Sequence, residues 1–77
     1  MNHILQVAAK KYIIDNIYKL PFSWQDTFKL LYARKDGKRS VDAAMDMSFD
    51  DILKEMSDDK LECAMGQIER SLIKLNV

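Results

Sequence analysis

Hydrophobic and polar positions alternate with helical spacing in several separate segments of this chain. The first segment is predicted to run as a helix from Asn2, a residue type that caps helices, to about Leu20, because Pro21 then prevents its continuation. Its apolar residues lie on several sides, which is typical of a helix that is covered by more than one neighbour. The β-rich run YIIDNIY leaves a strand as the minor alternative for this segment.

A second helix is predicted to begin at Ser23, with Asp26 three residues later as a short relative of the capping-box acid. It should end before Gly37, because glycine readily adopts the left-handed conformation found at helix ends. Its core-facing residues are spaced as on one side of a helix: Trp24, Phe28, Leu31 and Tyr32.

Serines mark the beginnings of the remaining predicted helices. Ser40 and Ser48 each begin a short helix, and Ser57 or Asp58 begins a last helix that runs to about Leu75. The last helix carries a short heptad seam, which should pack against the first helix rather than form an independent coiled coil. The seam consists of Leu61, Met65, Ile68, Leu72 and Leu75.

The pattern as a whole predicts an all-α protein, a bundle of four to five helices in one domain that spans residues 1–77. The sequence contains only two glycines and one proline, which argues against a fold of many short strands and turns. Gly66, inside the last helix, is an expected point of close helix crossing. The core is predicted to contain Trp24, Phe28, Leu31, Ile52, Leu61, Ile68 and Leu72.

The segment SVDAAMDMSFDDILKEM, residues 40–56, has the layout of a DNA-binding helix-turn-helix. Its second helix, however, begins with Asp50 and Asp51. The beginning of a recognition helix lies close to DNA phosphates, which would repel these carboxylates. We therefore interpret the segment as two short helices of the bundle.

The net charge is zero, but the charges are unevenly distributed. Residues 1–39 contain eight Lys and Arg against three Asp, whereas residues 40–77 contain four Lys and Arg against nine Asp and Glu. The two halves could complement each other within the fold or across a dimer, or one face could bind a charged partner. A weaker hypothesis is an acidic surface that competes with nucleic acid for a basic partner, formed by Asp42, Asp46, Asp50, Asp51, Glu55, Asp58 and Asp59.

Residues suited to catalysis or metal binding are few. His3 is the only histidine and Cys63 the only cysteine, so an acid–base pair, an intrachain disulfide and a multi-cysteine metal site are all unexpected. Cys63 is expected to be a small core or boundary residue. The spacing of a calcium loop is absent from the acidic residues Asp50, Asp51, Asp58 and Asp59. We predict no enzyme activity, no cofactor and no metal.

The single cysteine favours a reducing, cytoplasmic setting. No apolar run reaches the roughly 18–20 residues that would cross a membrane. In the first residues, MNHILQVAAKKYII, the lysines follow the apolar positions, so no secretory signal is predicted.

Binding is the mode of action that remains. We expect a small protein-binding module, an adaptor, inhibitor or regulatory subunit, that acts by occupying a surface. The partner could be a second copy of the chain in a homodimer, if helix one is not simply central in the bundle. The alternative is a small nucleic-acid-binding regulator that uses the basic loop at residues 34–39. The candidate partner-binding residues are Tyr12, Ile13, Tyr18, Arg34, Lys35, Lys38 and Arg39.

Overall fold

The computed structural model describes residues 3–76, except for the side chain of His3. These residues form five α-helices and contain no strand. The helices are α1 (His3–Ile17), α2 (Phe22–Tyr32), α3 (Val41–Asp46), α4 (Phe49–Lys54) and α5 (Asp58–Leu75). The predicted all-α class is therefore confirmed. The proposed cap at Asn2 lies outside the described residues.

The connection from α1 to α2 corrects the predicted start of the second helix. The N-cap residue of α2 is Pro21 rather than Ser23, and no side chain caps this end. The proline ring holds its φ at −55°, close to the helical value, so the chain turns into the helix one residue after it. The buried amide of Gln25 donates a 2.9 Å hydrogen bond to the Leu20 carbonyl, which fixes the turn from inside.

The later serine caps are confirmed. Each serine hydroxyl accepts a hydrogen bond from the backbone N–H three residues further on, so one of the unpaired donors at each helix start is satisfied. The pairs are Ser40 with Ala43 at 3.1 Å, Ser48 with Asp51 at 3.2 Å and Ser57 with Lys60 at 3.3 Å.

The pairing of α1 with α5 is the most extensive in the fold. The Gln6 side-chain amide bonds to the Asp58 carboxylate near the beginning of both helices, and further along the chain Leu20, just after α1, lines one groove together with Ile68 of α5. The two helices therefore run in the same direction. The predicted packing of the last helix against helix one is confirmed, although Leu75 at its end is exposed. The fully buried residues that the two helices contribute are Ile13, Ile17, Leu61, Ala64 and Ile68.

The core is completed by the buried side of α2 and by Phe49, Ile52 and Leu53 of α4. The predicted burial is confirmed for Phe28, Ile52, Leu61 and Ile68, while Trp24 and Leu72 are partly buried. The prediction is wrong for Leu31, which is 54% exposed. At about 100° per residue, Leu31 falls on the same side of α2 as Trp24, next to the core face rather than on it.

Gly66 does not mark a close helix crossing, contrary to the expectation from the sequence. A Cβ atom at this position would lie 3.2 Å from a guanidinium nitrogen of Arg70, one turn further along the same helix. Because no neighbouring helix approaches, an alanine here would need only a small movement of a flexible side chain.

Candidate functional site

A groove of about 500 Å³ lies between α2 and the C-terminal half of α5. Its floor consists of the buried side chains of Leu20, Phe28 and Ile68, which belong to the core. Its α2 wall consists of Trp24, which is partly buried, and Leu31, which is exposed. We call this feature the α2–α5 groove. It presents apolar side chains to solvent above a buried floor.

The groove exists because its two walls pack against different neighbours. α2 packs mainly on α3 and α4, whereas α5 packs mainly on α1. A bond between the walls closes one end, where the Tyr32 hydroxyl donates to Oε1 of Gln67 at 2.8 Å. Burial raises the pKa of Tyr32, so its hydroxyl stays protonated, and able to donate this bond, to a higher pH than the hydroxyl of an exposed tyrosine. The groove is thus fixed by the helix arrangement.

The rim of the groove on α5 is positively charged. Arg70 and Lys74 are one turn apart and exposed, and within residues 4–76 no carboxylate lines the groove. Two other depressions in the surface differ, because each mixes lysines with carboxylates. One is lined by Lys10, Lys11, Asp15, Asp50 and Lys54, and the other by Lys35, Asp36, Lys38, Glu55 and Lys60, together with apolar residues.

The basic loop is folded against the end of α4. Arg39 binds the Glu55 carboxylate with both of its terminal nitrogens, each at 3.0 Å, and Lys35 lies 3.3 Å from the same carboxylate. Nε of Arg34 donates to the Arg39 carbonyl at 3.2 Å. Two of the four cations predicted to bind a partner are therefore paired inside the fold.

The backbone of this loop is left-handed at three successive residues. Lys35, Asp36 and Gly37 have φ values of 49°, 60° and 84°. The left-handed conformation expected at Gly37 is confirmed, but it does not end the helix directly. α2 ends at Tyr32, and Ala33 after it is still right-handed.

Glu55 gives a prediction about pH. The hydrogen bond from Arg39 lowers the pKa of the Glu55 carboxyl, so its ionised form is favoured by folding. This contribution to stability is present at neutral pH and is lost as the pH falls through the lowered pKa. For Glu55→Gln we therefore expect the urea concentration at the midpoint of unfolding to fall less between pH 7 and acidic pH than it does for the parent chain. The control is Glu62→Gln, at an exposed position that makes no ion pair within residues 3–76, and its midpoint should depend on pH as that of the parent does. If the midpoints of all three chains depended on pH in the same way, the prediction would be contradicted.

The other predicted contact residues are spread over α1. Ile13 is completely buried, so its assignment as a partner contact is corrected to a core role. It lies one turn from both Ala9 and Ile17, on the stripe of α1 that the rest of the bundle covers. Tyr12 is partly buried, and Tyr18 is 64% exposed with its ring edge-to-face on Phe49.

The outer side of α1 carries a second apolar feature. Ile4 and Val7 of α1 and Tyr18, which directly follows the helix, are 76%, 53% and 64% exposed, and their spacing places them on one side. Lys11 and Asp15 lie between them and form a 3.2 Å ion pair, which interrupts the apolar surface. Helix one is thus covered on one side only, and the homodimer remains a prediction.

The residues of the α2–α5 groove were not singled out by the sequence as a site. Trp24 and Leu31 are seven residues apart, and Arg70 and Lys74 are four apart, so the spacing places each pair on one side of its helix. The spacing does not indicate that these two sides face a common space. That juxtaposition depends on the tertiary arrangement of α2 and α5.

The described residues with side chains suited to catalysis or metal binding do not form a cluster. Cys63 is exposed on α5, so the expectation of a core or boundary position is wrong. Residues 3–76 contain no group of three or more His, Cys, Asp or Glu side chains placed to hold a metal ion. Over the same range, no helix has the length and apolar character needed to cross a bilayer.

Comparison with known proteins adds no functional information. No protein-family model, curated protein or solved structure matches this chain.

Proposed function

We propose that this chain is a small, non-enzymatic protein-binding module, an adaptor, inhibitor or regulatory subunit, and that the α2–α5 groove is its recognition surface. The observation that carries the proposal is a groove with an apolar floor, already formed in the free chain, in which Trp24 and Leu31 are accessible and the rest of the lining is polar. Tryptophan is enriched among the residues that dominate binding energy, and apolar anchors in well-packed pockets are the usual centre of an interface.

The lining chemistry supports binding rather than catalysis. The groove contains the hydroxyls of Thr27 and Ser71, and among the side chains that the structure describes neither a histidine nor a carboxylate lines it. A hydroxyl nucleophile needs an adjacent base to be activated. The Thr27 hydroxyl is moreover engaged with the Ser23 carbonyl at 2.9 Å.

The expected strength of binding follows from the area that can be covered. Fully burying a large apolar side chain contributes about 1.5–3 kcal/mol. Trp24, which is already partly buried, and Leu31, which is exposed, therefore supply a few kcal/mol together. Loss of translational and rotational freedom on association costs about 4–15 kcal/mol. The partner must therefore also insert its own apolar side chains into the groove.

Two further expectations from the sequence differ in their support. Nucleic-acid binding by the basic loop remains the alternative, but phosphates would have to compete with Glu55 for Lys35 and Arg39. A reducing, cytoplasmic location suits the exposed thiol of Cys63, which has no second cysteine to pair with.

Site-specific photo-crosslinking tests the proposal. A photoreactive amino acid replaces Leu31 in one full-length chain and Val41 in another, two positions that are 54% and 47% exposed on different helices. In cells that naturally express the protein, we expect a discrete protein adduct from position 31 and none of that mass from position 41. The captured partner, once purified, should bind Leu31→Asp at least about tenfold more weakly than Val41→Asp, since a carboxylate would be buried against the apolar floor. Equal adducts, or equal affinities of the two variants, would refute the groove as the recognition surface.

A further inference from the structure

We infer that the α2–α5 groove receives a single amphipathic helix of a partner protein, with an apolar face toward the floor and carboxylates beside Arg70 and Lys74. This inference rests on the proposed function and specifies the chemistry of the occupant.

The walls favour a helix over an extended segment. Both walls are helices, whose backbone N–H and C=O groups are bonded within each helix. An extended peptide binds well where a sheet edge offers backbone partners, and the groove offers none. Buried without such partners, its own backbone groups would be costly. A helix satisfies its backbone internally and needs only side-chain contacts.

The length of the groove sets the number of anchors. Trp24 and Leu31, at its two ends on α2, are separated by seven residues, or roughly 10 Å at the helical rise per residue. This length corresponds to about two helical turns. An occupant helix would therefore contact the floor with two or three apolar residues at i, i+3 or i+4, and i+7 spacing, the pattern of helix-in-groove recognition.

The charge of the rim determines which charged side chains the occupant should carry. Arg70 and Lys74 are exposed at i and i+4 on α5, and no acidic side chain of residues 4–76 lines the groove to neutralise them. Carboxylates spaced by one turn on the occupant can reach both cations, whereas lysines there would be repelled. Rim pairs of this kind contribute modestly to affinity but favour acidic over basic partners.

A displayed library of random 18-residue peptides lacking tryptophan tests the inference on the immobilised full-length chain. We expect the enriched peptides to share i, i+3 or i+4, i+7 apolar residues with neighbouring Asp or Glu, and to gain helical circular dichroism on binding. Trp24 is the only tryptophan and lines the groove, so its fluorescence should shift to shorter wavelength when the peptide excludes water.

Variants of the full-length chain locate the bound peptide. Leu31→Asp should weaken the enriched peptides at least about tenfold, and Val41→Asp, at a similarly exposed position, should not. The double variant Arg70→Gln and Lys74→Gln should weaken them roughly fivefold, as expected for two rim ion pairs. Because all four positions are exposed, thermal melts of the variants should match the parent chain.

The outcomes separate this inference from the proposed function. The helical acidic occupant would be overturned if the enriched peptides were extended or basic but still depended on Leu31, or if no peptide were enriched. The crosslinking test would then decide separately whether the groove is the recognition surface. Peptides that bind Leu31→Asp as well as the parent would count against the groove itself. A dimer of twice the 9.0 kDa chain mass at sedimentation equilibrium, absent in Leu31→Asp, would show that a second copy is the occupant.

Discussion

Replacing Phe28 with alanine is expected to lower the free energy of unfolding by about 3–5 kcal/mol. The side chain is 5% exposed, and its ring contacts those of Tyr32 and Phe49 at centroid distances of 4.7 and 5.9 Å. The substitution removes both ring contacts and leaves a cavity under the α2–α5 groove. Since a domain of 77 residues has roughly 4–12 kcal/mol of stability in total, a large part of the variant would be unfolded.

The matched control for this change is Leu31→Ala. Leu31 lies one turn further along the same helix and is 54% exposed, so its truncation should cost less than about 1 kcal/mol. Urea denaturation followed by circular dichroism measures both values. If the two variants lost similar amounts of stability, α2 would be rotated relative to its position in the structure, and Leu31 would belong to the core as its spacing suggests.

The helix starts were predictable where the determining chemistry is local. The hydroxyls of Ser40, Ser48 and Ser57 each cap the helix that follows, as their sequence context indicates. The prediction failed at Ser23 because Pro21, two residues earlier, already has helical φ and begins the turn. Pro21 and Ser23 are both residue types found at helix starts, and the sequence alone does not indicate which of them begins α2.

The direction that each helix faces was harder to predict. On α2, the residues predicted to face the core span roughly 100° of the helix surface, from Tyr32 to Leu31, and their spacing alone does not show which part meets the core. The structure places Phe28 and Gln25 inward and leaves Trp24 and Leu31 beside a groove. That distinction depends on the position of α5, which no local pattern contains.

The groove and the core are therefore linked but separable. Phe28 supports both, because it is a floor residue of the groove and a buried member of the core. Leu31 contributes to the groove while remaining largely exposed. A substitution at Leu31 can thus report on binding without unfolding the chain, whereas one at Phe28 reports mainly on stability.

On α1, replacing Ile13 with alanine is expected to lower the free energy of unfolding by about 2–5 kcal/mol. Ile13 is 0% exposed in the stripe of α1 that the bundle covers, so the three deleted carbons leave a cavity. The control is Ile4→Ala, the same chemical change on the same helix at a position that is 76% exposed, where the expected loss is within about 0.5 kcal/mol. Both follow from urea denaturation of the full-length chain. If Ile13→Ala unfolded at the same urea concentration as the parent but no longer bound the captured partner, Ile13 would be a contact residue, as its position on a many-sided apolar helix first indicated, and the burial of α1 against α5 would be wrong.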